Sequence, residues 1–253
     1  MPFSNSKPFT QYLLYLADTT LILSHRHSEW CGHGPILEQD IAITNISLDL
    51  LGQARNYYQY VARRMGDGAT EDQLAYHRGE REFCNLLLTE LPKGDWAFTV
   101  LRQYLFSEFH QLLLEMHTRH ADEQLVAMAY KSLKEVKYHL RWSREWVLRL
   151  GDGTPESHQR MLAALDDLLP YTGELFIPAV YEISSAADPS ELEAAWKDRI
   201  TKTLEEATLP TEGFSTRAPY MQRGGKTGTH TEHLGFILAD MQYLQRTYPG
   251  CEW

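Results

Sequence analysis

The chain has 253 residues, 43% of them hydrophobic, and a formal net charge of −10. A chain this long buries about 70–75% of its unfolded surface, so one large domain with a substantial core is expected. The acidic balance argues against nucleic acid and anionic membranes as partners, because both need a basic face.

No stretch approaches the ~20 apolar residues of a membrane span, and the first residues show no charged segment followed by an apolar run. Cys31, Cys84 and Cys251 are odd in number and widely spaced, which suits neither a disulfide framework nor a zinc motif. The expected location is cytoplasmic.

The chain reads as helix nearly throughout. Apolar residues at Tyr12, Leu13, Leu16, Leu21 and Leu23 predict a first helix over 9–30, stopped by Gly32-His33-Gly34-Pro35. Pro35 suits the first turn of a second helix over 36–65, which Gly66 ends. A longer connection, with a helical piece over 71–91, leads to a third helix over 95–119. A fourth over 123–150 ends at Gly151. Two helix pairs joined by one long crossover is the ferritin-like arrangement. Thr154-Pro155 and Asp188-Pro189-Ser190-Glu191 read as further helix starts. Residues 210–226 read as a loop rich in Gly, Pro, Ser and Thr, and 230–246 as a last helix. There is no strand-like alternation, repeat or low-complexity linker. The expectation is one all-α domain, 1–253: a ferritin-like four-helix bundle over about 8–151 with additional C-terminal helices over about 152–253.

In a carboxylate-bridged di-iron bundle the last helix carries Glu-x-x-His, whose i,i+3 spacing points both side chains into the core. The fourth helix here carries Lys134-Glu135-Val136-Lys137-Tyr138-His139. Val136 stands three before His139, and the nearest carboxylate, Glu135, stands at i,i+4. The chain has the layout of such a bundle without this ligand pair. On the second helix Asn45, Asp49 and Gln53 fall at i, i+4 and i+8 and share one face. That stripe is either a solvent face or the lining of an interior, where its groups need partners.

Four runs carry a resemblance over nearly the whole chain: Ser28-Glu29-Trp30-Cys31-Gly32-His33, Asp49-Leu50-Leu51-Gly52-Gln53-Ala54-Arg55-Asn56, Gly224 through Gly235, and Met241 through Arg246. They resemble the PaaC family, subunits of the bacterial multicomponent phenylacetyl-CoA 1,2-epoxidase of phenylacetate degradation. The resemblance implies a structural, non-catalytic subunit paired with a related catalytic ferritin-like oxygenase subunit (PaaA-like). It further implies other subunits, a reductase that delivers electrons from NADPH, and a possible homodimer when the chain is alone. A di-iron centre is then expected in the partner and no cofactor in this chain. The whole complex would epoxidise the ring of phenylacetyl-CoA with O2.

Laid on the frame of that catalytic partner, the ligand positions fall at or near Thr20, Leu50, Gln53, Ser107, Val136 and His139, with Asp49 in the place of a supporting aspartate. Only His139 keeps a metal-binding side chain; Asp18 and Glu108 lie within a turn of their positions. Leu50 and Val136 cannot ligate, so the six positions read as vestigial. Asp49, Gln53, Ser107 and His139 are then either a remnant polar network, or His139 forms an ordinary helix pair with Glu135 worth ~0.2–0.5 kcal/mol.

Other groups read more plainly. Thr229 with Glu232 three residues on predicts a capping box ahead of the last helix, in preference to a metal role for His230 and His233. Arg223-Gly224-Gly225-Lys226 lacks P-loop spacing but could approach an anion, which makes Arg223 and Lys226 weak candidates for contact with a partner or with CoA phosphates. His110, His117 and His120 are expected to be solvated, and Tyr57, Tyr58 and Tyr60 to serve packing or an interface. No Rossmann fingerprint appears, so neither nicotinamide nor flavin is expected here. Two rival readings are a metal-dependent oxidase or oxygenase with a rearranged site at Glu135 and His139, and a stand-alone metal-storage or scaffold protein.

Overall fold

The structure is a computed structural model that describes residues 7–66, 68–215 and 221–251. Among these residues there are helices and no strands, and the all-α, ferritin-like class stands. In chain order the helices are α1 (Pro8–Ser28), α2 (Leu37–Met65), α3 (Glu71–Tyr76), α4 (Leu87–Glu90), α5 (Trp96–His117), α6 (Glu123–Gly151), α7 (Pro155–Thr172), α8 (Val180–Ser184), α9 (Glu193–Glu206), α10 (Glu212–Ser215) and α11 (Glu232–Thr247). Single 3₁₀ turns lie at Glu80–Glu82, Gly173–Phe176, Pro189–Leu192 and Gly225–Thr227. No described helix is long and apolar enough to cross a membrane.

The chain divides into two compact units. The first comprises Met1–Pro92, Ala179–Ser185 and Arg223–Trp253; the second comprises Lys93–Pro178 and Ala186–Gln222. The C-terminal helices are shared out: α8 and α11 join the first unit, α7, α9 and α10 the second.

Each unit is built on a long helix pair, α1 with α2 and α5 with α6. The first member of each pair is the inner one. α1 is buried on every face from Tyr12 to Ser24, and α5 from Thr99 to His110. A helix that is apolar nearly all round belongs inside. Its mate is amphipathic: α6 buries Leu125, Met128, Ala129, Ser132, Val136 and His139 at helical spacing and leaves its charges outside.

The helix boundaries follow local chemistry. Asp95 and Asp122 cap α5 and α6, each accepting from a backbone N–H three residues on, Phe98 and Leu125, at 2.9 Å. Thr154 caps α7 by accepting from the Ser157 N–H at 3.1 Å, with Pro155 at the first helical position. α2 ends at Gly66, whose φ of +70° suits glycine.

Three expectations need correction. The helical piece over 71–91 is not continuous: it breaks into α3, a 3₁₀ turn and α4. The cause is tertiary, because the chain turns after α3 to drive the Arg78 side chain and the Cys84 N–H onto Asp18 of α1. The loop over 210–226 contains α10 and a 3₁₀ turn, and its residues 216–220 lie outside the described residues. The capping box at Thr229 does not form. Thr231 is the N-cap, accepting from the His233 N–H at 3.3 Å, because the His230 ring turns inward.

Candidate functional site

The positions that a di-iron ligand set would use are divided between the two units. In the first unit, Thr20 is buried, and its hydroxyl donates back to its own helix, to the Leu16 and Ala17 carbonyls at 2.9 and 3.1 Å. Leu50 is fully buried in the core, and Gln53 is buried beside it on α2. The polar stripe is neither wholly solvent face nor wholly lining. Asn45 is exposed, Asp49 half-buried and Gln53 buried, because a four-residue step drifts around the helix.

Asp18, the carboxylate nearest Thr20, is spoken for. Its Oδ1 accepts from the Tyr58 hydroxyl at 2.6 Å and from Arg78 Nη2. Its Oδ2 accepts from Arg78 Nη1 at 3.0 Å and from the Cys84 N–H at 2.9 Å. A carboxylate offers about four lone-pair sites, and here four donors fill them. Asp18 and Arg78 are completely buried. Burial works against the Arg78 charge, but Asp18 and Tyr58 outweigh it and the guanidinium pKa rises. Burial, helped by Asp18, pushes the Cys84 thiol up to about 12, so this cysteine stays a neutral, unreactive thiol. It lines a pocket of about 720 Å³ in the first unit, with Pro8, Gln11 and Leu14 of α1 and Tyr181 of α8.

In the second unit, Val136 is fully buried and packs in an apolar cluster with Leu114, Ala129 and Leu133. A ligand position has become hydrophobic core. Ser107 is buried, and its hydroxyl accepts from Gln103 Nε2 at 2.8 Å on the same helix. His139 is buried on α6, whereas Glu135 is only half-buried. Glu108 sits 3.4 Å from both the Tyr104 hydroxyl and Arg199 Nη1. Burial raises its pKa, and Arg199 partly opposes that.

The histidines of α5 correct the sequence reading. His110 and His117 are not solvated but buried. Burial first, then the neighbouring His139 and His117, lowers the His110 pKa to about 3; burial, then His120, does the same for His117. Both rings are therefore neutral at physiological pH. Only His120 is near the surface, where its Nδ1 accepts from the Asp122 N–H at 3.0 Å.

The glycine–lysine loop also differs from expectation. Lys226 is buried, its Nζ 3.1 and 3.0 Å from the two oxygens of Glu182 and 5.3 Å above the Tyr15 ring. Its ammonium faces inward, away from any phosphate outside. Gly225 is needed for packing, since a side chain there would strike the Asn85 carbonyl, and Gly224 has φ +135°. Arg223 remains exposed. Of the tyrosines, Tyr57 and Tyr58 are buried and Tyr60 lies under Arg64.

One arrangement gave no sign in the sequence. His230 Nδ1 lies 2.9 Å from Glu90 Oε2 and its Nε2 lies 2.9 Å from the Phe83 carbonyl. Both partners are acceptors, so both ring nitrogens must carry protons. Burial opposes that charge, but Glu90, Phe83 and Asp18 overcome it and the pKa is raised. Glu90 also accepts from the Thr231 N–H at 2.6 Å and from Asn85 Nδ2 at 2.8 Å. A partner 140 residues away leaves no local periodicity to read.

The residues at the six positions do not fit a di-iron centre, which needs about four carboxylates and two imidazoles. Two aliphatic side chains, two hydroxyls, an amide and one imidazole stand there. Among the described residues no three His, Cys, Asp or Glu side chains gather in a way that could hold a metal ion.

The comparisons with known proteins agree on a kinship. The family model described as "Phenylacetic acid catabolic protein" matches residues 1–253. The chain is 48% identical over 249 residues to a protein of Escherichia coli (strain K12) that is named as one of the subunits of 1,2-phenylacetyl-CoA epoxidase, covering 96% of this chain and 98% of that protein.

Proposed function

The chain belongs to the phenylacetic acid catabolic protein family, and from that premise we propose that it is the non-catalytic, structural subunit of a multicomponent di-iron oxygenase. The complex epoxidises the ring of phenylacetyl-CoA in phenylacetate degradation, using O2 and electrons passed from NADPH by a reductase. Membership of the complex follows the relative named as one of its subunits. The di-iron centre belongs to the related catalytic subunit, and this chain binds no cofactor. Its working place is the cytoplasm.

One observation carries the non-catalytic reading. The places where a ferritin-like oxygenase needs ligands hold Leu50 and Val136, both fully buried, Val136 within an apolar cluster. The nearest spare carboxylate, Asp18, already serves four donors. What remains for the chain is scaffolding: helical surfaces that fix the partner's helices, on which the ligand geometry of the partner depends.

Reconstitution tests this. Phenylacetyl-CoA, NADPH and the reductase are combined with this chain, with the catalytic subunit, or with both, and product epoxide is measured. Epoxide is expected only when the catalytic subunit is present, and in higher yield when this chain accompanies it. Turnover by this chain without the catalytic subunit would overturn the reading.

A further inference from the structure

The hollow of about 720 Å³ beside Cys84 lies wholly in the first unit and includes none of the six vestigial positions. Its buried lining is apolar: Leu14 of α1, with Ala179 and Tyr181 around the start of α8. Half-buried Gln11 and Cys84, the latter an uncharged thiol, adjoin them. Exposed Pro8 and Val180 carry the apolar surface out to the mouth. Small-molecule sites typically measure ~300–1,000 Å³, mostly apolar with a few placed polar groups.

The segments that wall the hollow are tied down from outside it. The Tyr181 hydroxyl donates to the Lys226 carbonyl at 2.9 Å, and the Ala179 N–H to Glu182 at 2.7 Å. The Cys84 N–H donates to Asp18 at 2.9 Å, and the Gly79 N–H to Glu82 at 2.8 Å. A site held open in this way spares a ligand the cost of ordering it. Charge then selects the ligand. Glu80, Arg81 and Glu82 line the hollow. The Glu82 carboxylate is engaged by Gly79, and Glu80 is turned toward α11, 3.5 Å from where a Cβ on Gly235 would stand. Arg81 is exposed and forms no ion pair among the described residues. Its guanidinium fork matches a carboxylate.

We propose that this hollow is a binding site for a small apolar carboxylic acid, its hydrocarbon body against Leu14, Ala179 and Tyr181 and its carboxylate on Arg81. The uncharged thiol of Cys84 and the ring of Tyr181 offer the body surface to cover, and the one charge left without an ion pair on the rim sets its direction. The site is independent of the catalytic question, since a catalytic or a non-catalytic subunit would present the same hollow.

Isothermal titration calorimetry of the full chain with octanoate and with 4-phenylbutanoate tests it. Saturable binding of one molecule per chain is expected, with the negative heat-capacity change of buried apolar surface. Tighter binding of octanoate would assign an alkyl acid, and tighter binding of 4-phenylbutanoate an aryl acid; either supports the site. Arg81→Gln is expected to weaken the acid about three- to tenfold. The matching amide should bind more weakly than the acid and be indifferent to that change. Val180→Trp, which sets a large ring at the mouth, is expected to abolish binding with helical circular dichroism unchanged. No saturable binding of either acid would overturn the proposal. So would binding that survives both Arg81→Gln and Val180→Trp, or an amide that binds as tightly as its acid.

Discussion

The two units solve one problem in different ways. Each wraps a helix buried on all sides that carries polar groups, α1 in the first and α5 in the second. Around α1 the buried groups are largely ionised and matched: Asp18 with Arg78, Glu90 with His230, Glu182 with Lys226. Along α5 the buried groups are mixed: Gln103 with Ser107 and the rings of His110 and His117 are neutral, whereas the guanidinium of Arg102 is fully buried, 5.7 Å from the Phe98 ring. The charged Glu108 of α5 instead meets a partly exposed arginine, Arg199. Buried ions need partners fixed in place, and removing one partner is far worse than never having had either. Neutral imidazoles need no counter-ion but resist protonation. His110 and His117 therefore respond to pH in the opposite sense to His230 of the first unit.

The comparison fails first if the Asp18–Arg78 pair is unimportant. Asp18→Ala leaves a guanidinium buried without a counter-charge and is expected to cost about 3–5 kcal/mol in chemical denaturation. Replacing both partners together, Asp18→Leu with Arg78→Met, should recover most of that loss. A single-variant cost below about 1 kcal/mol would break the contrast.

The second unit is probed by acid. The folded pKa of about 3 for His117 lies below the unfolded value near 6.5, so the unfolded state binds more protons between them. Stability contributed by the neutral ring is full above about pH 6.5 and falls on acidification, by up to about 1.4 kcal/mol per pH unit for each such histidine. His117→Gln should flatten the decline between about pH 6.5 and 4.5 by about 2–3 kcal/mol. An unchanged slope would show that the ring is not held neutral.

His230 carries the opposite sign. Its raised pKa gives stability that is full below the unfolded value and lost as pH rises through the folded one. Glu90→Gln should cost about 1–3 kcal/mol and abolish that alkaline-side loss, read by amide exchange along α11. Smaller still, Thr231→Ala should cost about 1 kcal/mol as a lost cap, whereas Thr229→Ala should change stability by about 0.5 kcal/mol or less. The reverse order would restore the capping box that the structure lacks.

The sequence carried the scaffold well and the interior poorly. The four long helices were legible because caps and stops are local: Asp95 and Asp122 accept bonds three residues on, and Gly66 ends α2. The aliphatic Leu50 and Val136 were legible too, because a side chain without donor atoms cannot ligate in any fold. The ion pairs were not. Arg78 is 60 residues from Asp18 and Glu90 is 140 from His230, and no periodicity encodes a partner that distant. The histidines of α5 read locally as polar marks on a surface helix, yet they lie inside. The run of Tyr104, Leu105, Phe106, Phe109, Leu112, Leu113 and Leu114 around them was the sign that this helix has no solvent face.

Exposure divides as unevenly as charge. Of the thirteen large hydrophobic residues most exposed to solvent among the described residues, eleven belong to the first unit and two, Tyr130 and Tyr138, to the second. For a chain whose relative is named as one subunit among several, the first unit is where contacts with other chains are to be sought first.

The central claim, that this chain supports a metal centre without holding one, is tested most directly by its iron content. The chain is purified alone, loaded anaerobically with Fe(II), freed of excess metal and assayed for bound iron. The account predicts no stoichiometric iron. About two irons per chain, as in a working di-iron bundle, would contradict it and return Asp18, Asp49, Glu108 and Glu135 to consideration as ligands.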